Sequence, residues 1–252
     1  MKIKFLGTSA GWPLPRLGCK CELCSSSNSK DKRLRSSVLV NDSVLIDAGP
    51  DTYQKLRPID PTLIKHVILT HYHADHTLGI WDLGHIYGET GKTKPTLYGT
   101  ETTFSKISSP LDRQDLVEKT VKFEESLTLD TVEFSNFEVT HTKGTIAVVI
   151  KEASKKFIYI PDFKSIPENN LKYLANTDLL VIDGSSLYKK DETGGHESIE
   201  TGLKLALDSG AKQVGFTHLG HKSGLHAKLE TYVKTSGGEG FFIPYDSLEV
   251  TL

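Results

Sequence analysis

Short apolar runs recur along the chain, and most of them are bounded by turn-forming residues. Several runs are continuous rather than alternating, which is typical of strands that are buried on one or both faces. The pattern predicts ten strands, at 3–6, 37–40, 43–47, 66–70, 137–140, 146–150, 156–160, 179–183, 213–217 and 240–243.

Helical periodicity appears between these runs. The clearest stretch is 198–209, where apolar residues share one face and Gly210 follows as a stop signal. Two further helices are predicted at about 77–88 and about 168–175. Strands separated by helices in both halves predict an α/β fold with stacked sheets and helices outside. Because no linker rich in Pro, Gly or Ser divides the chain, we expect a single domain over 1–252.

The composition of the 252 residues supports a full-sized core, since 37% are hydrophobic and 25% are charged. A net charge of -2 argues against a nucleic-acid partner that is bound through a strong basic field. The N-terminus has no apolar run of signal-peptide length, and no stretch approaches the roughly 18 apolar residues of a membrane span. We therefore expect a cytoplasmic protein without a membrane partner.

The segment 25–36 is polar and basic, and its composition predicts a surface loop. Its cations are Lys30, Lys32, Arg33 and Arg35. These side chains would form a solvated basic face, or alternatively would steer a phosphate substrate towards the protein.

The strongest chemical signal lies at 66–76, where an apolar strand leads directly into His71, His73, Asp75 and His76. Alternate positions of a strand point the same way, and a tight turn brings the next residues back. Three imidazoles and one carboxylate are natural ligands for borderline divalent metals. The alternative is a solvated loop that is rich in histidine by chance.

Three more ligand-type residues each follow an apolar run, namely His141, Asp162 and His218. Taken singly, each could be a turn or capping residue. Taken with the motif at 66–76, they supply a third ligand for each of two metals and a carboxylate that bridges them. The sequence therefore predicts a hydrolase with a dinuclear centre.

Three cysteines, Cys19, Cys21 and Cys24, lie within six residues. Three thiolates can fill three corners of a tetrahedral structural zinc site, which then needs a fourth ligand. His221 is the predicted fourth ligand and His226 is the alternative. Such a site would tie the N-terminal loop to the loop that carries the last active-site histidine; otherwise the thiols are free.

The His-x-His-x-Asp-His pattern and the later ligands resemble the metallo-β-lactamase superfamily across essentially the whole chain. The resemblance implies a four-layer αββα sandwich with metals at the strand ends. The implied ligands are, for one metal, His71, His73 and His141, for the other, Asp75, His76 and His218, and for both, Asp162.

Within that superfamily, the cysteine cluster and the late His-x2-His resemble the PhnP-like branch, whose phosphodiesterases open a ribose 1,2-cyclic phosphate. The resemblance implies hydrolysis of a small cyclic phosphodiester by a hydroxide that bridges two Mn²⁺ or Zn²⁺ ions, one structural Zn²⁺, and a homodimer. Two alternatives stay open. One is a tRNase Z-like tRNA 3′-processing endonuclease, although only twenty residues separate His141 from Asp162, where such enzymes usually insert a tRNA-binding arm. The other is a PqqB-like metal-binding protein without turnover.

The candidate catalytic residues are His196 and Asp75. His196 lies in a Gly-rich loop just before the helix at 198–209 and is our candidate general acid. The alternative is that it merely ends a loop, with Ser198 or Glu197 capping the helix. Asp183 would orient a histidine of the site, or would be an ordinary turn residue at a strand end.

Overall fold

The computed structural model describes residues 1–84, 94–107, 117, 119–124, 126–191 and 194–252. Fourteen strands in these ranges form two seven-stranded sheets. The strands are β1 (Lys2–Gly7), β2 (Ser37–Val40), β3 (Val44–Ile46), β4 (His66–Ile68), β5 (Thr96–Gly99), β6 (Lys119–Lys122), β7 (Leu127–Leu129), β8 (Val132–Glu138), β9 (Ile146–Glu152), β10 (Lys155–Ile160), β11 (Leu179–Asp183), β12 (Gln213–Thr217), β13 (Phe241–Phe242) and β14 (Glu249–Thr251).

Both sheets are mixed. The first has the order β14-β1-β2-β3-β4-β5-β6, and the second has the order β13-β12-β11-β10-β9-β8-β7. Neighbouring strands are parallel throughout the run from β3 to β6 in the first sheet and throughout the run from β10 to β13 in the second. The last strand pairs with the first, with Lys2 opposite Thr251. Parallel strands carry their carboxyl ends to one edge of a sheet, and that edge is where the ligand-type residues emerge.

The helices that are described in full are Thr52–Leu56, Ala74–Thr77, Glu101–Lys106, Ile199–Ser209 and His226–Gly237, with 3₁₀ turns at Ser29–Asp31, Pro61–Leu63, Glu168–Leu174 and Lys189–Asp191. Ser198 begins one helix by accepting a hydrogen bond from the Thr201 amide, and Gly210 ends it at a φ of 68°. None of the described helices has the length and apolar character that a bilayer crossing requires.

Alternation along β10 shows how the layers are built. Phe157 and Tyr159 point into the apolar cluster between the two sheets, whereas Ile158 and Ile160 join the cluster on the opposite face. That second cluster includes Leu203 and other residues of the two C-terminal helices. A third cluster covers the outer face of the first sheet. The fold is therefore the predicted α/β αββα sandwich.

The ten predicted strands all coincide with observed ones, although 137–140 overlaps only the last two residues of β8. Strands β5, β6, β7 and β14 were not predicted. The helix predicted at 77–88 is seen at 80–84, and its remainder from 85 lies outside the described residues. The stretch at 168–175 forms a 3₁₀ helix, and the helix His226–Gly237 was missed.

The predicted surface loop is confirmed at 25–30 and at Lys32, which are exposed or half-buried, but the expectation of a solvated basic face is wrong for Arg33 and Arg35. Arg33 is only 3% exposed and donates a hydrogen bond to the Pro244 carbonyl at 2.6 Å. Arg35 forms an ion pair with Asp51 at 2.8 Å. A local count of charges could not show this, because the residues that cover and pair the two guanidiniums lie elsewhere in the chain.

Candidate metal centre

The ligand-type residues emerge from the strand ends at one edge of the sandwich. His71 and His73 follow β4, and the short helix Ala74–Thr77 then carries Asp75 and His76. The remaining three follow β8, β10 and β12. The fold thus brings together residues that are separated by almost 150 positions in the sequence.

One group comprises His71, His73, His141 and Asp162, whose ligand atoms all lie within 4.8 Å of one another. Nε2 of His71 is 3.2 Å from Oδ2 of Asp162. Nδ1 of His73 is 3.2 Å from Nε2 of His141. These are the spacings of donor atoms that surround one small cation.

A second group comprises Asp75, His76, Asp162 and His218, again within 4.8 Å. Nε2 of His76 is 3.0 Å from Oδ2 of Asp162 and 3.2 Å from Oδ2 of Asp75. Nδ1 of His218 is 2.9 Å from the other oxygen of Asp162. Because Asp162 belongs to both groups, one carboxylate could bridge two cations.

Unsatisfied polar atoms test whether these residues fit metal ions. Nε2 of His71, Nε2 of His76 and both carboxylate oxygens of Asp162 are buried, and none has a hydrogen bond of acceptable geometry in the described part of the chain. Buried polar atoms in native proteins nearly always have a partner. Two divalent cations would satisfy all four atoms, so the donor set fits a dinuclear centre of N and O ligands.

The pKa shifts point the same way. Burial would lower the pKa of His218, but Asp162 and Asp75 outweigh burial and raise it to about 9. Burial also opposes protonation of His76, yet Asp47, Asp162 and Asp75 raise its pKa well above the usual value. The buried carboxylates therefore stabilise positive charge beside them, and divalent cations would provide that charge in place of protons.

Asp47, which follows β3, supports this centre although the sequence analysis assigned it no role. Its Oδ2 accepts a hydrogen bond from Nδ1 of His76 at 2.7 Å, and its Oδ1 accepts from the Thr70 amide at 2.8 Å. A carboxylate can only accept here, so the His76 proton is on Nδ1 and Nε2 is turned towards Asp162. The signal in the sequence was an aspartate at the end of the strand beside β4.

His196 and Asp183 form a pair beside this centre. Nδ1 of His196 is 3.0 Å from Oδ2 of Asp183 and 3.4 Å from Oδ1 of Asp162. Burial lowers the pKa of His196, but the two carboxylates outweigh it and raise the pKa to about 11. Asp183 was predicted either to orient a histidine or to be an ordinary turn residue. The structure supports the first role, because Asp183 contacts His196. Ser198 nevertheless caps the following helix.

The centre opens onto a cleft of about 480 Å³. One wall of this cleft is formed by His73, Asp75, Asp162, His196 and His218. A cleft of this size is within the range of small-molecule sites.

The cysteine cluster lies close by and includes His221. Nε2 of His221 is 3.3 Å from Sγ of Cys19 and 3.1 Å from Sγ of Cys21, and Cys24 completes the group within 4.8 Å. The Cys24 amide is the main cause that lowers the pKa of Cys21 to about 6, which favours the thiolate. Four such donors fit one tetrahedral zinc ion.

The alternative prediction, that His226 is the fourth zinc ligand, is wrong. Its Nδ1 lies 3.0 Å from Nη2 of the buried Arg33 and accepts a hydrogen bond, since a guanidinium can only donate. His226 also begins the C-terminal helix, which the sequence analysis did not predict. Its ring is therefore part of the packing beneath that helix.

A family model described as a beta-lactamase superfamily domain matches residues 42–219. The chain belongs to the beta-lactamase superfamily. The matched range contains the seven candidate ligands of the dinuclear centre and His196, whereas the cysteine cluster and His221 lie outside it. The protein accordingly has the metallo-β-lactamase fold, and its two groups of ligand atoms fit divalent metals.

Solved and curated superfamily relatives cover the whole fold. A diphosphatase of the PhnP family superimposes with a TM-score of 0.86 and 26% identity, over 100% of this chain and 97% of that one. Coenzyme PQQ synthesis protein B of Methylobacterium radiotolerans is 26% identical over 246 residues, covering 81% of this chain and 80% of that protein.

A third similar protein is longer than this chain. An octanoyltransferase of Porphyromonas gingivalis is 26% identical over 242 residues, which is 90% of this chain and 47% of that protein. The chain therefore spans about half the length of this curated relative.

Proposed function

We propose that the protein is a metal-dependent phosphodiesterase that hydrolyses a small phosphodiester, such as ribose 1,2-cyclic phosphate. One observation carries the proposal. Two groups of ligand atoms share Asp162, and this shared centre lies on the same cleft wall as His196. A pair of cations beside a proton donor suits an in-line displacement at phosphorus.

The proposed ligands of the two ions, Mn²⁺ or Zn²⁺, are His71, His73, His141, Asp75, His76, His218 and the bridging Asp162. When bound, such a pair supplies an activated water near neutral pH and neutralises charge on the phosphoryl oxygens.

His196 is the proposed general acid. Its Nδ1 faces Asp183 at 3.0 Å, so the proton on Nε2 is the one to transfer to the leaving oxygen. Asp75 lines the same cleft and would accept the proton of the attacking water. The new P–O bond forms to that water oxygen as the P–O bond to the alcohol breaks.

The tRNA-nuclease alternative has less support. The segment between His141 and Asp162 is occupied by the antiparallel pair β9 and β10, whose strands are joined by a two-residue turn. This leaves no room for an RNA-binding arm at that point. The net charge of -2 likewise offers little attraction to a phosphate backbone.

The experiment compares metal-loaded protein on bis(p-nitrophenyl) phosphate, ribose 1,2-cyclic phosphate and a tRNA precursor, with Mn²⁺ and with Zn²⁺. We expect turnover of the first two and not of the third. Cleavage of the precursor alone would favour the nuclease. Folded, metal-loaded protein that turns over none of them would favour a PqqB-like binding protein.

A further inference from the structure

Large apolar side chains are exposed directly beside the catalytic cleft. Trp12 is 67% exposed and Leu17 is fully exposed. They line a second cleft of about 460 Å³ together with Pro13, Pro15, Arg16 and Arg35. Trp12 and Arg16 also line the catalytic cleft, so the two clefts meet at these residues. A contiguous exposed apolar surface of this kind is typical of a binding site.

The backbone that presents Trp12 is held in place. The Ser9 hydroxyl donates a hydrogen bond to the Trp12 carbonyl. Two residues later, Leu14 exchanges backbone hydrogen bonds with Arg33, both at 2.8 Å. Nε of Arg35 donates to the Gly11 carbonyl at 2.9 Å. These hydrogen bonds hold the backbone around Trp12 in place. The loop therefore presents the exposed indole ring as a flat apolar face beside the cleft.

Two cations reach the catalytic cleft from the cysteine cluster. The Arg16 amide donates to Sγ of Cys24 at 3.3 Å, and the Arg16 carbonyl accepts from the Cys19 amide at 3.2 Å. Lys222 follows His221 directly in the chain, and it lines the same cleft as Arg16. The cluster thus fixes the backbone from which both cationic side chains extend.

Among the described residues, no acidic side chain accounts for these two cations. Neither Arg16 nor Lys222 forms a salt bridge with any described residue, and both are exposed. By contrast, Arg35 in the same N-terminal region pairs with Asp51. Unpaired cations at the mouth of a cleft are suited to bind an anionic group, and a guanidinium can do so with two hydrogen bonds.

We propose that the substrate is nucleotide-like: its flat ring stacks on Trp12, and a second anionic group binds between Arg16 and Lys222. The inference rests on the proposed phosphodiesterase function and names its substrate class. The scissile phosphodiester lies at the metal centre, and these three residues determine specificity by binding the rest of the molecule. Each would act on ground state and transition state alike, so their loss should appear in KM.

Fluorescence tests the ring site without turnover. The chain has two tryptophans, so the variant W81F leaves Trp12 as the only indole. Metal-loaded W81F is titrated with AMP and with ribose 5-phosphate, which carry the same phosphate but differ in the ring. We expect AMP to quench Trp12 fluorescence and ribose 5-phosphate to leave it unchanged.

Kinetics test both parts with three p-nitrophenyl esters that share one leaving group: methyl phosphate, thymidine 5′-phosphate, and thymidine 5′-phosphate with a second phosphate at the 3′ oxygen. W12A should raise KM about tenfold for the two nucleoside esters and not for the methyl ester. R16A and K222A should each raise KM about tenfold only for the ester with the second phosphate. K20A is the matched control, since Lys20 lies in the same cysteine loop but does not line the cleft.

The outcomes separate this inference from the proposed function. Equal KM changes on all three esters, or AMP that leaves Trp12 fluorescence unchanged, would overturn the nucleotide site. Quenching by AMP in a protein that hydrolyses no ester would support the nucleotide site and overturn the phosphodiesterase.

Discussion

Nδ1 of His76 donates a hydrogen bond to Oδ2 of Asp47 at 2.7 Å, and both side chains are buried. Asp47 belongs to neither ligand group, yet it fixes which nitrogen of His76 faces Asp162. The same carboxylate accepts from the amide and the hydroxyl of Thr70, the residue just before His71. Asp47 therefore orients both the backbone at the start of the metal motif, at Thr70, and the imidazole ring of His76.

The variant D47N tests this orientation. Asp47 has a φ of +64°, and asparagine tolerates that conformation as well as aspartate, so the backbone should persist. The amide can still bond to His76 only through its single oxygen, and the ring loses its charged acceptor. We expect the affinity for Zn²⁺, measured by titration with the metal, to fall about 10–100-fold.

The matched control for that variant is D130N. Asp130 also has a positive φ, of +53°, but it accepts hydrogen bonds from Ser43 and Lys65 at the surface. We expect its metal affinity to equal that of the wild type. If D47N bound metal as tightly as D130N, the orienting role of Asp47 would be refuted.

His196 is tested by the dependence of the rate on the leaving group. An aliphatic alkoxide needs a proton as it departs, whereas p-nitrophenolate needs none near neutral pH. H196N should therefore lower kcat about 10²–10⁴-fold on an alkyl phosphodiester and much less on bis(p-nitrophenyl) phosphate. Metal content, measured in parallel, should be unchanged. Equal losses on both substrates would assign His196 to metal or substrate binding instead.

The cysteine cluster is tested by C21S, with S25A as a control in the same loop. Removal of one of four ligands should release the bound zinc and with it the stabilisation that binding gives to the folded state. We expect zinc content to fall by one ion per chain and Tm to fall by about 5–10 °C. Elemental analysis and calorimetry measure the two effects. Unchanged zinc content in C21S would show that the thiols are free.

Local patterns were sufficient for the interior of the sandwich. The runs that became β9, β10 and β11 are continuously apolar because both of their faces are buried, so a simple hydrophobic pattern identifies them. The missed strands are different. In β6, three of the four residues are exposed, and a polar edge strand carries no such pattern. β14 is a strand because it pairs with β1, which is a tertiary contact.

The candidate site divides in the same way. His71, His73, Asp75 and His76 form a motif, and strand ends pointed to the other ligands. Asp47 and Asp183 lie at the ends of apolar strands, but no local pattern shows which histidine each of them orients. The partnership of Asp183 with His196 depends on the path of the chain across thirteen residues, and Trp12 became notable only when the fold left it exposed beside the cleft.

Lys55 has a buried ammonium that hydrogen-bonds to none of the described residues. Burial lowers its pKa from 10.5 to about 8, although Asp51, Asp246 and Asp47 act to raise it and Arg35 adds to the lowering. A lysine with a depressed pKa destabilises the folded state while it is protonated. The cost is fully present below pH 8 and is relieved as the pH rises towards 10.5, because the folded protein then binds fewer protons than the unfolded chain.

The variant K55M should therefore have a higher free energy of unfolding than the wild type near neutral pH, by at most about 3 kcal/mol. This difference in the free energy of unfolding should shrink as the pH rises through the pKa of about 8, because the wild type alone gains stability there. Urea denaturation at about pH 7 and about pH 10 measures it, and effects of the metal ligands cancel since both proteins share them. K65M, which removes an exposed lysine, should show no such difference. A K55M protein less stable than the wild type by the same amount at both pH values would mean that the ammonium is well paired, and that its burial carries no pH-dependent cost.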